Sequence, residues 1–169
     1  MGEKMNIRIT SLVVAGLLCI APAAARAQVL TEKNISLQLA LQIANAAIAQ
    51  CHADGFDVTA AVVDRAGDLK VLLRADTANP HNADLARRKA YTSRTFKVPS
   101  MEVAKRTNGP TDLSGQRFIT DIIPLGGGLP INVGGNDTIG ALGISGSPTQ
   151  EGDEKCATAG LAAAANALR

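Results

Sequence analysis

The chain has 169 residues, of which 46% are hydrophobic, 19% charged and only 2% aromatic, with no Trp, one Tyr and three Phe. The length favours one domain, and the mixed charge excludes a disordered polyelectrolyte. The lack of rings speaks against single-stranded nucleic-acid binding, which needs platforms for bases to stack on.

Lys4 and Arg8 precede an apolar run from Ile9 to Ile20, Pro22 follows, and Ala25-Arg26-Ala27 places small residues at the two positions a signal peptidase reads. This is the layout of a secretory signal. Residues 1–27 are therefore read as a signal peptide cleaved after Ala27, and 28–169 as a single domain in the periplasm or outside the cell. The apolar run is short for a membrane span, and no second run follows. Gly16-Leu17-Leu18-Cys19 is a poor lipobox, because a bulky Leu precedes the cysteine. Residues 1–27 hold three basic residues and one acid, so of 17 basic and 15 acidic residues fourteen of each remain in 28–169. A neutral mature protein has no global attraction to nucleic acid.

Ser36 to Ala53 reads as a helix, with Leu37, Leu41, Ala44, Ile48 and Cys51 on one stripe. Asn34 or Ser36 can cap it, and Asp54-Gly55 stops it. Val58–Asp64 and Leu69–Ala75 read as strands of a hairpin whose turn uses Gly67 for a positive φ. A second helix is expected over Asn82–Lys97, ended by Pro99, and a shorter one near Ser100–Arg106. Asn108-Gly109-Pro110 opens a loop, after which three strands are expected: Thr120–Ile123, Leu129–Val133 and Thr138–Ser145. Ser147-Pro148-Thr149-Gln150 resembles a capping box for a last helix reaching about Leu168. On that helix Cys156, Gly160, Ala163 and Ala167 form a face of small residues. The order α-β-β-α-α-β-β-β-α lacks regular βαβ alternation and points to an antiparallel α+β sheet.

Standard catalytic motifs are mostly absent. There is no P-loop, Gly126-Gly127-Gly128 lacks the spacing of a dinucleotide fingerprint, and Gly143-Ile144-Ser145-Gly146-Ser147 misses the nucleophile elbow. His81 follows Asn79-Pro80 where a loop enters a helix; it reads either as a surface or capping residue or as an imidazole able to ligate haem iron. His52, beside Asp54-Gly55, reads as a solvated helix-end residue. Tyr91 is a second candidate haem ligand, or a residue packing helix on sheet. It lies ten residues after His81, about 15 Å along a helix, so the two do not serve one iron within a subunit. Residues 87–106 hold Arg87, Arg88, Lys89, Arg94, Lys97, Lys105 and Arg106 against one acid, Glu102. This basic pair of helices reads as a solvated face, as half of a subunit contact, or as a partner for the carboxylates of haem or an organic acid. Cys51 and Cys156 each fall on the apolar stripe of their helix.

Six stretches resemble the GlcG/HbpS-like haem-binding family. They are Val62-Val63-Asp64-Arg65-Ala66-Gly67, Arg74-Ala75-Asp76, Arg88-Lys89-Ala90-Tyr91-Thr92, Gly127-Gly128-Leu129-Pro130-Ile131, Ile139-Gly140-Ala141-Leu142-Gly143-Ile144-Ser145-Gly146 and Asp153-Glu154-Lys155-Cys156-Ala157-Thr158-Ala159-Gly160. The resemblance implies a profilin-like α+β fold, a five-stranded antiparallel sheet flanked by helices, and assembly into homo-oligomers. It also implies packing of the first helix on the last. Cys51 and Cys156 then read either as a disulfide, as export permits, or as two buried thiols.

The resemblance supports three functional readings. The leading one is an exported haem-binding protein for sensing, storing or handling haem, not an enzyme, with His81 as the iron ligand and Arg88, Lys89, Arg94 and Tyr91 around the cofactor. The second is an accessory protein that binds a small organic acid or a partner enzyme beside a periplasmic oxidoreductase. The third is peroxide-dependent haem degradation.

Overall fold

Ser36 starts the first helix as its sequence position requires: its side-chain oxygen accepts a hydrogen bond from the Leu39 amide at 3.2 Å, satisfying a donor the first turn leaves open. In this computed structural model, which describes residues 1–2, 28–109 and 113–169, that helix is α1, Leu37–Ala53. The expected signal peptide, residues 1–27, lies outside the described residues except for Met1 and Gly2. β1 (Thr59–Asp64) and β2 (Leu69–Arg74) follow as a hairpin, with Gly67 at φ 92° in the turn. Next come α2 (Asn82–Phe96), α3 (Ser100–Asn108) and a 3-10 turn at Ser114–Phe118. β3 (Gly128–Val133), β4 (Asp137–Ser145), α4 (Gln150–Ala163) and a 3-10 turn at Ala165–Leu168 complete the chain. Among the described residues no helix is long and apolar enough to cross a membrane.

The fold is α+β with a fully antiparallel sheet, but the sheet has four strands in the order β2-β1-β4-β3, not the five expected. The expected strand Thr120–Ile123 does not form, so the order is α-β-β-α-α-β-β-α. Its backbone groups are taken elsewhere. Asp121 adopts a positive φ of 65°, and the Ile122 amide bonds back to the Ile119 carbonyl at 3.1 Å. The Ile123 amide donates to Thr92 Oγ1 at 2.8 Å, and the Ile122 carbonyl accepts from Arg88 at 2.9 Å. Pro124 has no amide to offer a ladder. With its donors and acceptors satisfied by α2, the segment gains nothing from joining the sheet.

Side-chain alternation separates the two faces of the sheet. Ala60, Val62, Leu142 and Ile144 point to the core shared with α1 and α4, while Val63 and Ala141 pack with Ala90 of α2. α2 lies very close to the strands, because a Cβ on Gly143 would stand 2.0 Å from the Ala86 carbonyl oxygen and one on Gly128 2.2 Å from that of Lys89. On the opposite face α1 and α4 approach through small residues: a Cβ on Gly160 would meet the Ile43 carbonyl oxygen at 2.7 Å and Ala47 Cβ at 2.9 Å. The buried face of α1 is Ala40, Ile43, Ala44, Ala47 and Cys51; of the expected stripe Ala44 and Cys51 are buried, Leu41 and Ile48 are half-buried against the core, and Leu37 is exposed. On α4, Cys156 and Gly160 are buried as the small-residue face predicts, whereas Ala163 is exposed; the helix ends there, short of the expected Leu168, and Ala167 lies exposed in the 3-10 turn that follows. Cys51 and Cys156 are joined by a disulfide, Cα–Cα 5.4 Å, that pins α1 to α4.

Candidate functional site

The N-terminal ends of α2 and α4 and the C-terminal end of β4 meet around an open cavity of about 380 Å³. β4 delivers Ser145 and Gly146 to its wall, α2 contributes His81, Asn82 and Lys89, and α4 contributes Gln150 and Asp153. Thr149, not Ser147, is the N-cap of α4: its Oγ1 accepts from the Gly152 amide at 3.0 Å, while the Ser147 hydroxyl donates to the Thr149 carbonyl. The box expected from Ser147 to Gln150 is broken because Gln150 turns its side-chain oxygen to the Gly126 amide, 2.6 Å away.

At the cavity floor Lys89 Nζ donates to Asp153 Oδ2 at 2.6 Å and to the Ile144 carbonyl at 3.1 Å. Asp153 uses its other oxygen to accept the Ser147 amide at 2.9 Å. Lys89 and Asp153 are each 3% exposed, so the pair is held by close geometry and completed hydrogen bonds, the conditions under which buried charges are tolerated. Gly127, at φ 111°, lies against the pair; a Cβ there would sit 2.7 Å from both Asp153 Cβ and the Ile144 carbonyl oxygen. Asn82 is as buried as Lys89 and accepts the Ser145 hydroxyl through Oδ1 at 3.3 Å. The loop before α2 is tied down where Asp57 accepts the Thr77 hydroxyl. That bond first, and His52 second, hold the Asp57 carboxyl below its ordinary range.

The structure brings His81 and Lys89 to this cavity and leaves the other candidates away from it. His81 stands exposed at the rim as the N-cap of α2, where its side chain makes no capping bond and its ring has no hydrogen-bond partner among the described residues. Tyr91 packs its ring over Gly67 in the β1–β2 turn, 3.0 Å from where a Cβ would be. Arg88 is spent on the Ile122 carbonyl and lies 3.8 Å from Asp84. Arg94 keeps a buried Nε without a hydrogen-bond partner. Much of the rest of the basic segment is also engaged: Arg87 bridges Asp84 and Asp121, Lys105 pairs with Glu102, and Arg106 lies over the Phe96 ring at 4.3 Å. The Asp121 bond to Arg87 raises the pKa of that guanidinium and lowers that of the carboxyl. His52 is exposed and 3.1 Å from Asp57.

Sequence reasoning did not single out Asp153, Asn82, Ser145 or Gln150 as site residues. A signal existed for three elements of the cavity, since Lys89, Ser145-Gly146 and Asp153 each lie in a stretch that carries the family resemblance. Their convergence was invisible because Lys89 and Asp153 are 64 residues apart in the chain.

The family described as "Haem degrading protein HbpS-like" matches residues 35–162. The chain belongs to the HbpS-like family. HbpS of Streptomyces reticuli, solved as a double mutant, is 36% identical with a TM-score of 0.76, over 84% of this chain and 95% of that one. A Citrobacter freundii protein described as an uncharacterized 15.0 kDa protein of the dhaT-dhaS intergenic region is 31% identical over 120 residues, 70% of this chain and 84% of its own. PduOC, solved as a complex with haem, is 26% identical with a TM-score of 0.71, over 78% of this chain and 95% of that one.

Proposed function

We propose that this chain is an exported haem-handling protein that binds haem without turning it over. The observation that carries the reading is membership of the HbpS-like family over nearly the whole folded unit, together with a relative solved as a haem complex. Among the described residues the His81 imidazole is a suitable iron donor: it is exposed, makes no hydrogen bond there and stands at the start of a helix. The cavity behind His81 does not suit a porphyrin. Its walls are largely Asn, Ser, Thr and Gln side chains, whereas cofactor pockets are mostly apolar. His81 would hold the iron from the rim. When bound, the haem supplies a redox-active iron; the protein supplies the ligand and the surface.

Titration of the protein with haemin, followed by absorbance, tests this. The expected result is a saturable Soret shift that His81→Ala loses. A shift that survives the substitution keeps the function and removes His81 as ligand, and no saturable shift at micromolar protein overturns haem binding. Bleaching under peroxide faster than that of free haemin would put haem degradation in its place. Export and assembly into homo-oligomers belong to the same reading. They are checked by the mass of the protein from expressing cells, expected to start at Gln28, and by its size in solution.

A further inference from the structure

The polar wall of the cavity is unbalanced in a way that names its ligand. Several of its acceptors are engaged: Asn82 Oδ1 by Ser145, Gln150 Oε1 by Gly126, Thr149 Oγ1 by Gly152, and both Asp153 oxygens by Lys89 and Ser147. Three of its donor groups are not. The side-chain NH2 of Asn82, a residue 3% exposed, has no acceptor among the described residues, nor has that of Gln150. Lys89 uses two of its three N–H groups, on Asp153 and Ile144. The first turn of α2, a 15-residue helix, lies beside the same space with no side-chain cap; the Asn82 backbone amide is taken by the Asn79 carbonyl at 3.0 Å, and the positive end of the helix dipole favours an acceptor there. A wall of spare donors is best matched by a group rich in acceptors.

From this donor surplus we infer that the cavity is a carboxylate-binding site, read by the Asn82 side-chain NH2, the start of α2 and the third proton of Lys89. The formal charges on its floor, Lys89 and Asp153, compensate each other. The site therefore takes a singly charged, planar acceptor in preference to a phosphate dianion. The carboxylate belongs either to a free small acid or to a propionate of haem whose iron is at His81. Only the second source rests on the haem reading above.

The test uses the purified protein and two kinds of probe. Sodium acetate and sodium succinate are titrated while amide and side-chain NH2 signals are followed by NMR. Haemin and its dimethyl ester, which lacks free propionates, are compared by absorbance. Asn82→Asp keeps the acceptor for Ser145 and replaces the donor with a repelling charge. For a free acid, the Asn82 side-chain NH2 and the amides of Ser145, Gly146, Ser147, Thr149 and Gln150 shift saturably below about 20 mM acid, and Asn82→Asp abolishes the effect. For a propionate, the acids leave those signals in place. Esterification and Asn82→Asp then each weaken haemin binding by about tenfold, with no further loss when combined. If acetate and succinate move no cavity signal, and haemin either fails to bind or binds equally well as its ester, the carboxylate site is overturned. Because the wild-type NMR titration does not depend on any variant folding, its outcome stands alone.

Discussion

Lys89 lies in the middle of a basic segment that, counted as charges, promises a positive surface. Its ammonium is instead buried and spent on Asp153 and the Ile144 carbonyl, tying α2 to α4 and to the end of β4. Removing one member of such a pair leaves a charge with neither water nor partner. Lys89→Met is therefore expected to cost about 3–5 kcal/mol of folding stability, and Lys89→Met with Asp153→Leu to regain most of it. Urea unfolding of the two variants beside the parent checks this; equal losses in both would show that the pair contributes through packing alone. The residue scale also explains why the charge count misled. Composition records that a lysine is present but not that a carboxylate 64 residues away will meet it.

At the scale of elements, the first three helices and all four strands were legible to within a residue or two, whereas the last helix ends at Ala163 and not near Leu168. Apolar periodicity, caps and glycine turns are local signals, and local hydrogen bonds answer them. Thr120–Ile123 was misread because its β-branched residues look strand-like, whereas the hydroxyl of Thr92 and the guanidinium of Arg88 capture its backbone first. On α1 the expected stripe holds for Ala44 and Cys51, with Leu41 and Ile48 half-buried against the core, and fails at Leu37. Large side chains dominate a hydrophobic pattern, yet the face that packs on α4 is the small one, since close approach to Gly160 admits only Ala and the backbone of Ile43. The same reasoning applies to α2, which rests on Gly143. Gly143→Ala is expected to push α2 off the sheet and to cost about 1–3 kcal/mol, read as a lowered urea midpoint. Because α2 carries His81 and Asn82, it should also weaken ligand binding at the cavity. Unchanged stability would mean that α2 slides without cost.

For the whole molecule, the disulfide links residues 105 apart and so constrains most of the folded unit Glu32–Arg169. In the chain-entropy account a closure of that length adds about 4–5 kcal/mol by restricting the unfolded chain. Reduction, or the pair Cys51→Ser and Cys156→Ser, should lower the thermal midpoint strongly while leaving the fold in place, measured by calorimetry with and without reductant. A midpoint insensitive to reductant would show that the α1–α4 contact needs no cross-link.

By itself, the sequence determined the helices, the hairpin, the antiparallel α+β class and the family, because each rests on short-range periodicity or on stretches of consecutive residues. It also placed His81 at a helix start, since Asn79-Pro80 before a helical run is a local boundary. Only the tertiary structure decided the four-stranded sheet, the small-residue faces that let α1 and α2 approach their partners, and the meeting of α2, β4 and α4 around a cavity of spare donors. Those features depend on which groups from distant parts of the chain satisfy one another first, and that competition is settled in three dimensions.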